Sequence, residues 1–364
     1  MNNNVFDYLD WRGDIGFDLD GFSEVDNLIL SIISYMDFSN VIPPEPMCGG
    51  ITLAEAERRL AELDRDRQDL GLIIPDQTSD FVKQAARTKR FSNVLLYSYV
   101  DKIDADIGIQ FSAITFSLPD KTLFISYRGT DDTLVGWKEN FNMSFASPVP
   151  AQVSALDYLI DIAYAKRGKI RLGGHSKGGN LAIWAAVNAP SRLQRRIIAA
   201  YNNDGPGFEK RITDLPEYRE IADRLFTFIP ESSVVGLLLE HTEAYQIVKS
   251  SQTALWQHDP FSWEIKGSEF IKAASLSNFS KHTDRAISDW IGSLSPDERR
   301  HATDVLFSIL ESTGAKTLSD INAAKLKNIG IIMKSLTNVD KKTKDNLSVL
   351  VKRLFEFDRL FQWK

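Results

Sequence analysis

The chain has 364 residues, 43% of them hydrophobic and 25% charged, a balance that excludes disorder, collagen-like structure and coiled coil as global descriptions. Its net charge of −6, from 43 Lys and Arg against 49 Asp and Glu, lacks the basic footprint that phosphate backbones select, so no nucleic-acid partner is expected. A single cysteine, Cys48, cannot close an intramolecular disulfide, and with five histidines it leaves no raw material for a cysteine-based zinc site; neither metal nor cofactor is expected.

The N-terminal residues lack the basic start and apolar stretch of a secretion signal. The longest early apolar run, residues 28–33, is interrupted by Ser31 and falls well short of the ~18–20 residues that span a bilayer. A cytoplasmic location without a transmembrane helix is therefore expected. Ser23 can cap a first helix whose apolar positions Val25, Leu28, Ile29, Ile32, Ile33 and Met36 give one buried face. Thr52 and Glu55 form a capping box for a second helix through Leu63, and residues 80–91 read as a third.

From Val94 the pattern changes to strands over residues 94–100, 109–116 and 123–127, with Pro119, Asp120 and Lys121 turning an antiparallel hairpin between the last two. A helix (153–165), a strand (169–173), a helix (179–189) and strands at 197–203, 225–229 and 245–248 follow. This alternation predicts an α/β fold, a mainly parallel sheet with helices on both faces. Beyond about Asp284 the strand signals stop. Ser295, Pro296 and Glu298 start a helix that Gly314 ends, and two more amphipathic helices are expected over 318–336 and 340–361. The chain thus divides into residues 1–283, an α/β domain with an N-terminal helical cap, and residues 284–364, a helical C-terminal region.

The segment that carries chemistry is Ile170-Arg171-Leu172-Gly173-Gly174-His175-Ser176-Lys177-Gly178-Gly179-Asn180. A strand enters G-x-S-x-G and an Ala-rich helix leaves it, the context a nucleophile elbow requires. Gly174 and Gly178, two before and two after Ser176, let strand and helix approach, and the helix directs its N-terminal amides at a developing oxyanion.

With Phe124-Ile125-Ser126-Tyr127-Arg128-Gly129-Thr130 about 50 residues earlier and Asn203-Asp204-Gly205-Pro206-Gly207 after the next strand, this segment resembles the class 3 (fungal-type) lipases of the α/β-hydrolase superfamily. The resemblance covers residues 95–258 and is closest to bacterial lipase-like proteins with the same Gly-His-Ser-Lys-Gly-Gly-Asn segment, so it supplies no substrate. It implies a serine hydrolase acting on acyl or lipid-like carboxylic esters, with Ser176 as nucleophile and Thr130 and the Lys177 backbone N–H as oxyanion donors. Arg128 is left out of the chemical roles.

A histidine must take the Ser176 proton, because a free hydroxyl is a poor nucleophile at neutral pH. Chain order leaves His241, His258, His282 and His301 downstream. His258 is preferred, since it sits in a loop after the last strand-like run and before an expected aromatic strand at 261–265; His282 is the reserve. In those lipases the acid stands in Asp-x-Val-Pro after the strand at 225–229, but here the aligned residue is Ser233. Glu231 is ranked first, Asp204 is the alternative, and a dyad without an acid stays open. The missing carboxylate motivates a rival, a non-catalytic binding protein of the same fold; a thioesterase or peptidase would use the same Ser and His. Asp14, Asp18 and Asp20 lack the spacing of a calcium loop and read as a solvated acidic stretch.

Overall fold

Eight strands form one sheet in which spatial order equals chain order: β1 (Ile51–Thr52), β2 (Leu95–Asp104), β3 (Ile109–Ser117), β4 (Leu123–Tyr127), β5 (Ile170–His175), β6 (Ile197–Asn203), β7 (Leu225–Pro230) and β8 (Tyr245–Val248). The computed structural model describes residues 3–71, 74–278, 280–281, 293–337 and 339–344. β1 to β4 pair antiparallel, and β4 to β8 are all parallel. The expected hairpin joins β3 to β4. Its turn closes through Lys121 N–H to Leu118 O, with Lys121 at φ 65° and Asp120 accepting from the Thr122 amide.

This order has a consequence for the layers. Crossovers between parallel strands are right-handed, so a sheet that always advances in one direction carries all its crossover helices on the same face. Those helices are α6 (Pro150–Ala165), α7 (Lys177–Asn188) and α10 (Pro216–Ile221), with short turns α8 (Ser191–Gln194) and α9 (Lys210–Thr213) between them. They enclose one core with the alternate residues Ile109, Phe111, Leu123, Ile125, Ile170 and Leu172 of the strands. The other face would lie bare without the N-terminal helices α1 (Val5–Arg12), α2 (Glu24–Ile33), α3 (Leu53–Glu62) and α4 (Thr78–Arg87). They bury Phe116, Phe124 and Phe228 in a second core. The N-terminal segment is thus half of the fold's packing, beyond the cap its sequence suggested.

Helix α2 departs from the expected single buried face. Nine of its ten residues are buried, because it lies between the sheet and the outer helices. Its polar residues are satisfied there. Asp26 receives Arg90, Tyr8 and Ser23, and Asn27 and Ser31 bond to Asn203 at the end of β6. Gly173 makes this approach to β5 feasible, since a Cβ there would stand 2.7 Å from Asn27 Oδ1.

Three other expectations change. The segment after His258 is no strand over 261–265: a 3-10 turn takes Pro260–Ser262, with Asp259 capping it, and only Ile265–Lys266 pairs as β9, with β10 (Glu269–Phe270). Helix α5 (Leu134–Asn142), between β4 and α6, has no counterpart in the sequence reading. The expected helix over 318–336 is two helices, α12 (Leu318–Ala323) and α13 (Lys325–Thr337), broken at Ala324. The expected helix over 340–361 lies mostly outside the described residues.

Of the C-terminal helices, α11 docks on α5. Helix α11 (Pro296–Glu311), with the expected Ser295/Glu298 capping box, sets Phe307 against Phe141 at 5.6 Å and pairs Asp304 with Lys138 at 3.1 Å. Residues 316–319 then add to the segment after β4: Leu134 N–H donates to Lys316 O, Leu318 N–H to Asp132 O and Ser319 N–H to the Asp132 carboxylate.

Candidate active site

Because β4 to β7 are parallel, the residues that follow them emerge at one end of the sheet: Arg128 to Thr130 after β4, Ser176 after β5, Asp204 after β6, Glu231 and Ser233 after β7. Ser176 joins β5 to α7 at φ 58°, ψ −132°, a conformation that costs a non-glycine residue of order 1–3 kcal/mol and persists only where the surroundings enforce it. Here they do. A Cβ at Gly174 would stand 2.3 Å from the Gly178 carbonyl carbon, and one at Gly178 2.0 Å from Tyr127 O. Strand, turn and helix therefore meet at a separation only glycine permits.

The loop carrying Asp204 leans on the same turn. A Cβ at Gly205 would meet Ser176 O at 2.2 Å, and one at Gly179 would meet Asn202 Oδ1 at 2.1 Å. Asn180 on α7 donates to the carbonyls of Pro206 and Gly207, and Asn202 Oδ1 accepts from the Gly205 amide at 2.8 Å. Asp204 is fully buried at φ 54°, a left-handed conformation that aspartate tolerates better than most residues. Its Oδ1 accepts from the Ser233 hydroxyl and from the Gly236 amide at 3.1 Å; its Oδ2 lies 2.7 Å from His258 Nδ1.

The structure thus brings Asp204, rather than the first-ranked Glu231, to His258. Glu231 is held by its backbone, its N–H donating to Val248 O and its carbonyl accepting from Ser277. Its carboxylate makes no hydrogen bond among the described residues. Ser233, at the aligned acid position, donates to the acid supplied by the neighbouring strand.

His258 ends a 3-10 turn, Ala254–His258, after β8. Gln257 anchors that turn by accepting from Ser232 N–H at 2.7 Å and donating to Gln252 O, and its carbonyl receives the Trp263 indole at 3.0 Å. The His258 ring lies with its centroid 4.6 Å from that of His175, the residue before Ser176. Of the other histidines, His241 is engaged with Glu243 at 3.1 Å and Gly236 O at 2.7 Å, beneath the loop that holds Asp204. Burial raises the Glu243 carboxyl, but its bonds from His241, Thr227 and Tyr218 outweigh that and set it at about 2. His301 is on the exposed side of α11, and His282 lies outside the described residues.

On the other side of Ser176, Thr130 is buried and its hydroxyl accepts from Asn140 of α5 at 2.6 Å, which leaves the hydroxyl proton to donate elsewhere. Among the described residues, none accepts from the backbone N–H of Thr130 or of Lys177, the first residue of α7. The Lys177 side chain turns away and is buried, donating to Gln110 O and Oε1 and, at 3.0 Å, to Glu139 of α5. Arg128 likewise faces inward, bridging Asp101 at 2.8 Å and Asp131 at 3.3 Å.

His175 is buried, and desolvation, reinforced by the nearby His258, drops its imidazole well below the usual 6.5. The unfolded chain therefore binds a proton that the folded chain does not, and the stability this group contributes is fully present above pH 6.5 and falls as pH drops below it. We expect wild type to lose up to about 1.4 kcal/mol per pH unit below 6.5 relative to His175→Gln. Urea midpoints of both proteins at pH 7.5, 6.5 and 5.5 check the difference.

The signal that could have ranked the acids was Asn202-Asn203-Asp204-Gly205: a carboxylate directly after a central parallel strand, before a glycine. Asn180 and the Glu139 partner of Lys177 carry no such local mark. No group of three or more His, Cys, Asp and Glu side chains that could hold a metal ion, and no helix long and apolar enough to cross a membrane, occurs among the described residues.

Fold and site together define an α/β protein with a mostly parallel sheet and a Ser, His and Asp cluster at its carboxyl end. The chain belongs to the Mbeg1-like family, whose model matches residues 85–308. A comparison with curated proteins returned no match.

Proposed function

We propose that the chain is a serine hydrolase of the α/β-hydrolase type that cleaves carboxylic esters of acyl or lipid-like substrates. The observation that carries this reading is the 2.7 Å contact between His258 Nδ1 and Asp204 at the sheet end that also holds the strained Ser176, with the Lys177 and Thr130 amides lacking a described acceptor. Asp204 fixes the tautomer with the proton on Nδ1 and leaves Nε2 to act as base. Ser176 Oγ attacks the ester carbonyl as its proton passes to Nε2. The oxyanion receives the Lys177 amide and Thr130, a contribution of about 2.7–4 kcal/mol per donor in comparable sites. Collapse expels the alcohol, which takes the proton from His258, and water attacks the acyl-enzyme by the same steps in reverse order.

Among the described residues the Ser176 hydroxyl makes no hydrogen bond, in keeping with sites whose nucleophile–base contact tightens only around substrate. The reading as a non-catalytic binding protein rests on the missing carboxylate at position 233; the contact of Asp204 with His258 favours the hydrolase. In this reading residues 1–283 are the working unit, and α11 and residues 316–319 support α5 and the segment that leads into it.

A fluorophosphonate probe should label Ser176 in the wild-type protein and leave Ser176→Ala unlabelled. Equal labelling of both, or none of the wild type, would sink the proposal. A panel of p-nitrophenyl esters of increasing chain length, with matched thioesters, separates esterase from thioesterase.

A further inference from the structure

Two residues outside the Ser, His and Asp cluster join its separate loops. His175 Nε2 lies 2.8 Å from the backbone carbonyl of His258, and His175 Nδ1 lies 2.9 Å from the hydroxyl of Tyr35, which follows α2. A carbonyl only accepts, so Nε2 carries the proton; Nδ1 is then the acceptor and the Tyr35 hydroxyl the donor. The Gly129 amide faces the same hydroxyl oxygen, and a Cβ at Gly129 would stand 2.2 Å from it. Tyr35 and His175 are both buried. A single path thus runs from the residue before Thr130, through Tyr35 and the residue before Ser176, to His258 itself.

We infer that Tyr35 and His175 are positioning residues that hold His258 and Thr130 in register with Ser176. This rests on the proposed hydrolase reading. Asp204 fixes the His258 ring from one side; His175 fixes its backbone from the other. Gln257 and Trp263 anchor the same turn independently, so removing the Tyr35 hydroxyl shifts His258 without releasing the loop. The packing of the turn around Ser176 needs Gly174 and Gly178, whereas nothing in it requires an imidazole at 175. A displacement of about 1 Å in a catalytic group costs on the order of 100-fold in rate.

The test measures fluorophosphonate labelling rates and p-nitrophenyl ester kinetics in wild type, Tyr35→Phe, His175→Ala and His175→Gln, all as full chains. Tyr35→Phe and His175→Ala should lower kcat and the labelling rate by about 10- to 100-fold with KM nearly unchanged. His175→Gln, whose amide N–H can reach the His258 carbonyl, should recover part of that loss. A purely structural role would lower Tm and leave kcat of the folded protein alone. Wild-type rates in Tyr35→Phe and His175→Gln, with Ser176 still labelled, overturn the positioning role and spare the hydrolase. A wild type that is not labelled at Ser176 overturns both. If His175→Ala fails to fold, Tyr35→Phe and His175→Gln decide the matter, since each keeps the volume of the side chain it replaces.

Discussion

Asp204→Asn should lower kcat on an activated ester by about 10⁴-fold with KM little changed, the size of effect seen when a triad aspartate elsewhere is made an amide. The structure supplies the reason. Asp204 Oδ1 faces two donors, the Ser233 hydroxyl and the Gly236 amide, so an asparagine must keep its own oxygen there. Its amide nitrogen then faces His258 Nδ1 and donates to it. That forces the ring proton onto Nε2, the atom that in the proposed mechanism accepts from Ser176. Glu231→Gln should stay within about twofold of wild type, because its carboxylate has no described partner and only its backbone is engaged. Steady-state kinetics of the two variants decide between the carboxylates. A larger loss in Glu231→Gln than in Asp204→Asn would return the acid to β7.

That Asp204 and not the first-ranked Glu231 lies against His258 has a physical origin. Chain order and strand order suggest where an acid can stand, but a carboxylate reaches an imidazole through space. At the carboxyl end of a parallel sheet, adjacent strands offer nearly equivalent positions. The site after β6 and the site after β7 are neighbours here, and Ser233 occupies one so as to bond the acid at the other. The strand-turn-helix around Ser176 was legible because its glycines answer to local clashes within a few residues and with the adjacent strand. The loop bearing His258 was legible by elimination among few histidines, although the strand expected after it is largely a 3-10 turn, where Pro260 and the Asp259 cap override the aromatic pattern.

The layer structure shows the same division. Short apolar, β-branched and aromatic runs placed β3, β4, β6, β7 and β8 to within a residue, while β2 runs four residues and β5 two residues beyond the expected end. Periodicity could not say that the parallel strands advance without reversal, and that order is what makes the N-terminal helices indispensable. It also underestimated α2, whose polar residues Asp26, Asn27 and Ser31 fall outside the expected apolar face yet are satisfied in the interior. Helix α5 escaped notice because neither its composition nor its burial marks one apolar stripe: Glu139 is among its most buried residues, held by charge.

That buried glutamate yields the largest expected effect on stability. Glu139 Oε2 receives Lys177 Nζ and the Gln110 amide, and Oε1 the Ala151 amide at 2.8 Å, while both charged side chains are almost wholly withdrawn from water. Glu139→Gln leaves the Lys177 ammonium buried without its directly bonded counter-charge and should cost about 3–5 kcal/mol, read as a lower urea midpoint with an unchanged slope. Burial already lowers the Lys177 amine despite its partner, so the loss is the desolvation of a cation left with the two Gln110 oxygens and the charge of Asp131. The double variant Glu139→Gln, Lys177→Met removes both charges and should recover at least half of that cost, because a neutral pair of similar volume needs no compensation. Because the proposed oxyanion role belongs to the Lys177 backbone, the folded double variant should still be labelled at Ser176 by the fluorophosphonate. Its labelling rate would then show how much the ion pair, by tying α5 and Asn140 to the turn around Ser176, contributes to placing Thr130. Should the single variant prove as stable as wild type, the charge at position 139 is not what holds α5 against the sheet.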